Sequence, residues 1–68
     1  MRDPNRLYEF YNELMNEHMK NLPDWRFGQL MNNFFIWLKL KYNHDGFYLE
    51  DDHFMKIFKE YIDYISMI

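Results

Sequence analysis

Residues 22–40, LPDWRFGQLMNNFFIWLKL, decide how the chain is read. Pro23 ends whatever precedes it, because proline lacks a backbone donor and the residue before it disfavours helical angles. Asp24 is then expected to cap a new helix. Beyond it Phe27, Leu30, Met31, Phe34, Phe35, Trp37, Leu38 and Tyr42 fall on one helical face. That face spans ~160°, wider than the ~100° stripe that covers one neighbour. The segment is therefore expected to be a central apolar helix touching two others. Trp25, Ile36 and Leu40 lie on the opposite side, among Gln29, Asn32 and Asn33. Apolar groups out of phase with the core are the first candidates for a contact surface.

Working outward, Asp3 followed by Pro4 gives a cap with proline at the first helical position. In the helix that follows, Leu7, Tyr8, Phe10, Tyr11, Leu14, Met15, Met19 and Leu22 share one half of the circumference with His18. Glu9, Asn12, Glu13, Asn16, Glu17 and Lys20 make the wet half. His18, inside the apolar arc, is expected to be buried and held by a hydrogen bond. Asn43, His44, Asp45 and Gly46 have turn chemistry. Glu50, Asp51 and Asp52 form an acidic turn that complements the positive end of a third helix. Leu49 and Phe54 suit a hydrophobic staple around Glu50. The third helix buries Phe54, Ile57, Phe58, Tyr61, Ile62, Tyr64, Ile65 and Ile68 and leaves Lys56, Lys59, Glu60 and Asp63 wet. Lys56 with Glu60, and Lys59 with Asp63, stand at the spacing of helical ion pairs.

The expected fold is all-α: one domain over 1–68, a small three-helix bundle with helices near 4–21, 25–42 and 51–66 and antiparallel neighbours. Gly28, within the second helix, is expected to mark a close backbone approach. Asp63 is the expected partner of Arg26, since an antiparallel pair sets Arg26 about 24 Å from the acidic turn at 1.5 Å per residue.

Composition supports a packed domain. The chain is 49% hydrophobic, with seven Phe, six Tyr, two Trp and six Met, which excludes disorder. A chain of 68 residues needs that supply, because a domain this small buries only about 60% of its unfolded surface. Val and Thr are absent, which counts against strands. There is no Cys, so disulfides, thiolate metal sites and Cys nucleophiles are excluded. No apolar run is long enough for a membrane span and no signal peptide is visible, so a cytoplasmic protein is expected.

PDWRFGQL at 23–30 and GFYLEDD at 46–52 resemble, in order and spacing, a group of short bacterial and prophage proteins. The matching positions are Pro23, Asp24, Arg26, Gly28, Gln29, Leu30, Phe47, Tyr48, Glu50, Asp51 and Asp52. Trp25 stands where that group has an aliphatic residue, and His53 where it has another acid. The resemblance implies a small helical fold and no particular activity.

The chemistry-bearing residues are few. Aligning Gly46 with the sixth position of a calcium loop puts Lys41 at the first, where a carboxylate is needed. His44 and His53 with Asp45, Asp51 and Asp52 follow no metal-ligand spacing. The only Ser is Ser66, so a nucleophile with base and oxyanion partner is lacking. No enzyme, cofactor or metal is expected. A net charge of −3 and the acids opening the third helix count against nucleic acid. The alternative there is a helix-turn-helix-like binder using Arg26, Lys39 and Lys41 for phosphates and Gln29, Asn32 and Asn33 for bases.

The expected function is a non-catalytic protein-interaction module, a homodimer or a partner binder, with Trp25, Gln29, Asn32, Asn33, Ile36 and Leu40 as its contact surface. The second expectation is a phage-type effector that offers the acidic line Glu9, Glu13 and Glu17 to a host protein.

Overall fold

The computed structural model describes residues 2–43, 46 and 49–67. Three helices, α1 (Asn5–Asn21), α2 (Phe27–Tyr42) and α3 (Asp51–Ser66), form a small all-α bundle. Asp3 opens α1: its Oδ1 accepts from the Asn5 backbone N–H at 3.0 Å, with Pro4 already helical. Asp24 does not cap α2. The extended residue before the first turn is Arg26, and the connection closes instead through the Trp25 N–H on the Leu22 carbonyl. Asn43 ends α2 in the left-handed conformation, where its N–H bonds the Lys39 carbonyl. Glu50 precedes α3 in extended geometry, and its carbonyl takes the Phe54 N–H. His44, Asp45, Phe47, Tyr48 and Ile68, assigned above to turn, motif and core, lie outside the described residues.

The central helix is α3, not α2. It packs against both others, while α1 and α2 make no close backbone contact with each other. Its buried set is also the largest: Met55, Ile57, Phe58, Tyr61 and Ile62, against Leu30, Phe34 and Leu38 in α2 and Leu14 in α1. Met55 was not among the residues expected inside. It belongs to the same side of the helix as Ile62, two turns on.

Pairing between α1 and α3 is parallel, not antiparallel. Arg2 meets Glu50, Arg6 meets Asp51, Phe10 meets Phe54 and Glu13 meets Lys59, so partners ascend together in both helices. Nor does α2 run antiparallel to α3: Phe34 meets Phe54 and Phe58 while Trp37, further along, meets Tyr61 and Tyr64, so α2 crosses α3 instead. The expected ion pairs change accordingly. Lys59 reaches across to Glu13 at 2.5 Å instead of down to Asp63, and Glu60 pairs with Lys41 instead of Lys56. Arg26 and Asp63 make no ion pair among the described residues. Two of the three acids of the turn are paired from the other end of the chain, Glu50 with Arg2 ahead of α1 at 2.6 Å and Asp51 with Arg6 in its first turn at 2.5 Å.

α2 crosses α3 through aromatic contacts. The fully buried Phe34 ring sits 5.2 Å from both Phe54 and Phe58 and 5.5 Å from Tyr61. Trp37 lies 5.2 Å from Tyr61. At the end of α2 the Lys41 ammonium and the Tyr42 hydroxyl both donate to Glu60. The Lys41 and Tyr42 hydrogen bonds hold the Glu60 carboxyl below the ordinary carboxylate range, and the same contact raises Lys41. A carboxyl lowered by folding contributes stability above its unfolded pKa and loses it as pH falls through the folded value. Thermal melts at decreasing pH should therefore show a loss beginning in the ordinary carboxylate range and continuing below it, and Glu60→Gln should flatten that part of the profile. Equal profiles for parent and variant would refute the coupling.

Gly28 is not a site of close approach: a Cβ there would meet nothing within 4 Å. Since it sits in the first turn of α2, Gly28→Ala should add roughly 0.5 kcal/mol, raising the melting temperature by roughly 2–4 °C. A lower melting temperature would reveal a constraint the geometry lacks.

Candidate interaction surface

Local chemistry at the α1–α2 connection builds one edge of a groove. Half-buried His18, as expected, is tied by a hydrogen bond: its Nε2 and the Trp25 carbonyl oxygen are 2.6 Å apart. Since a carbonyl only accepts, Nε2 carries the proton. This bond fixes the connection and sets the Trp25 ring, itself half-buried, against the core.

The groove runs from that edge between α2 and α3 and has a volume of about 550 Å³. Trp25 and Leu22 close one end, Asn33, Ile36, Trp37 and Leu40 form the α2 wall, and Tyr61, Tyr64 and Ile65 form the α3 wall. Its apolar rim is open to solvent, with Leu40 82%, Ile36 53% and Tyr64 47% exposed. Two of its polar side chains are already engaged. Ser66 Oγ donates to the Ile62 carbonyl at 2.8 Å, and Asn21 Nδ2 bonds the Glu17 carbonyl and carboxylate. Burial pushes the Tyr61 phenol upward, so that hydroxyl stays neutral. The Asn33 amide and the Tyr61 and Tyr64 hydroxyls make no hydrogen bond among the described residues, which leaves a few polar handles within an apolar lining.

Four of the six residues expected at a contact surface, Trp25, Asn33, Ile36 and Leu40, come together here. Gln29 and Asn32 are exposed but do not line the groove. The α3 wall and Trp37 were missed because they are in phase with the core. A residue that faces both the core and the edge of a crossing has the same periodicity as one wholly inside.

A second cleft, about 540 Å³, lies between α1 and α3. It brings together Glu9 and Glu13 of the acidic line with Asp51 and Asp52 of the acidic turn. Arg6, Lys56 and Lys59 stand between them, and two of these cations are bridged to Asp51 and Glu13. Asp52 Oδ1 accepts the His53 N–H at 2.9 Å. Among the described residues no three His, Asp or Glu side chains converge in a metal-holding group.

Fold and groove together define a small helical bundle with an open apolar trough. The chain matches no known family model, and no match was found among curated proteins or solved structures. Of the PDWRFGQL segment, Leu30 is a core residue, while Pro23, Asp24, Arg26, Gly28 and Gln29 are exposed. No helix among the described residues is long and apolar enough to cross a membrane.

Proposed function

We propose that this chain is a non-catalytic interaction module of the cytoplasm, whose α2–α3 groove holds apolar side chains of another polypeptide. Leu40 carries the reading: it is 82% exposed at the lip of an aromatic trough, while Leu30 and Leu38 of the same helix are fully buried. A single exposed leucine is ordinary, but Leu40, Ile36 and Tyr64 adjoin one concavity, and contiguous apolar surface marks a binding site. Asn33 supplies the directional hydrogen bond that such pockets use to orient what they bind. The PDWRFGQL and GFYLEDD motifs would set the module beside short bacterial and prophage proteins.

Charge favours this over the other readings. Of the acidic line, Glu13 is bridged to Lys59 and Glu17 holds Asn21, so only Glu9 has no partner among the described residues. An effector presenting that line would first have to release its own contacts. Lys41, needed for a phosphate contact, is likewise occupied by Glu60.

A photo-crosslinking residue at position 40 is expected to form a polypeptide adduct in cells, whereas the same residue at exposed position 32, outside the groove, should form far less. Ile36→Asp, an exposed substitution that leaves the core intact, should cut the yield roughly tenfold, because it puts a charge where apolar surface must be buried. An adduct of twice the chain mass identifies a second copy as the occupant, and any other mass a distinct partner. Equal yields from positions 40 and 32 would refute the groove.

A further inference from the structure

α1 turns a second apolar face outward, away from the groove. Tyr8, Tyr11, Met15 and Met19 are 76%, 60%, 49% and 65% exposed, although their spacing lines them up along the helix. They were expected inside. Because α1 rests on α3 and makes no close contact with α2, only half of its apolar circumference is covered. The helical wheel extends this stripe through Asn12, Asn5 and Asn16 into a sector of ~140° without a charged residue. In a chain that is 28% charged, that is a long uncharged surface. The carboxylates of α1 stand on the other side: Glu13 meets Lys59, Glu17 holds Asn21, and Glu9 lines the α1–α3 cleft.

We propose that this face of α1 pairs with the same face of a second copy, helix against helix about a two-fold axis. Charge selects that occupant. In an isologous contact each residue meets the same surface on its partner, so any net charge on the face would be set against itself. The chain as a whole carries −3, and the surface that must meet its own image carries none. A different protein would gain specificity from complementary charge, and this face offers no charge to read. Area points the same way. The exposed aromatic and methionine surface with its flanking amides amounts to roughly 600–800 Å², close to the ~800 Å² that each partner buries in a stable complex. Tyr8 and Tyr11 present phenol hydroxyls, and Asn12 and Asn16 present amides, so a two-fold contact satisfies donors and acceptors reciprocally.

Sedimentation velocity of the full chain, across a dilution series from roughly 1 mM to 1 µM, tests the pairing over the range of ordinary dimer affinities. A monomer–dimer equilibrium is expected, with little response to salt, since no ion pairs cross the contact. Met15→Lys and Met15→Glu should each weaken the dimer by roughly tenfold or more, because each sets like charges together on an apolar contact. Mixing the two variants should restore it. Met19→Lys, at a more open position, should act like Met15→Lys, and far-UV circular dichroism should show parental helicity in all of them. Ile36→Asp should leave the dimer intact, which separates this face from the groove. A parent that is monomeric throughout, Met15 variants that dimerise like the parent, or a mixture that stays monomeric would each overturn the proposal.

Discussion

Phe34→Ala is expected to remove a large share of the chain's stability at 25 °C. The ring is fully buried at the point where α2 crosses α3, within ring contact of Phe54, Phe58 and Tyr61. Truncating a buried phenylalanine costs about 3–5 kcal/mol, part from lost transfer energy and part from the cavity left behind. A domain of this length has roughly 3–10 kcal/mol in total. The loss is aggravated by the architecture: of the other two helices α2 packs closely only on α3, so α1 does not compensate when the crossing opens. Phe35→Ala is the control. Its ring is 38% exposed and removes less buried area, so the variant should stay folded. Urea unfolding followed by circular dichroism, at concentrations low enough to keep the chain monomeric, separates the two. A Phe34→Ala variant within about 1 kcal/mol of the parent would mean that the crossing is not the core, since substitutions away from such features cost that little.

Element boundaries were legible because local signals set them. The expected spans and the observed Asn5–Asn21, Phe27–Tyr42 and Asp51–Ser66 differ by no more than a capping turn. Asp3 with Pro4, Pro23 and the Asn43 turn act within a few residues of themselves, which is the range that sequence displays. Pairing was not legible. A wide apolar face on α2 shows that a great deal can be buried there, but it does not name the neighbours. The five buried residues of α3 had to be seen before it became the centre. The same gap explains Tyr8, Tyr11, Met15 and Met19, whose periodicity is that of core residues although no helix lies over them. The candidate groove was half legible for the complementary reason. Ile36 and Leu40 stand out because they break phase with the α2 core, whereas Trp37, Tyr61 and Tyr64 keep it and are read as interior.

Gly46→Ala should have the second-largest effect, opposite in sign to the same change at Gly28. Gly46 follows α2 at φ +84, a left-handed conformation that glycine adopts freely and residues with a Cβ do not. The backbone penalty alone is about 1–2 kcal/mol. A second cost comes from packing, because the new methyl would stand 2.9 Å from Leu38 Cδ2 and 3.3 Å from Phe35 Cε1. A side-chain terminus can often move aside, but Leu38 is fully buried and has no room to do so. Crowding a packed core by a methyl adds about 1 kcal/mol or more. The sum, about 2–3 kcal/mol, corresponds to a fall in melting temperature of roughly 8–24 °C for a domain of this size. The two glycines thus test the two halves of the argument separately: open space with helical backbone at position 28, left-handed backbone against a filled core at position 46. Thermal melts of both variants decide it. Should Gly46→Ala melt with the parent, the turn after α2 would have to be able to abandon the left-handed conformation without cost, and the contact with Leu38 would not be what closes that end of the bundle.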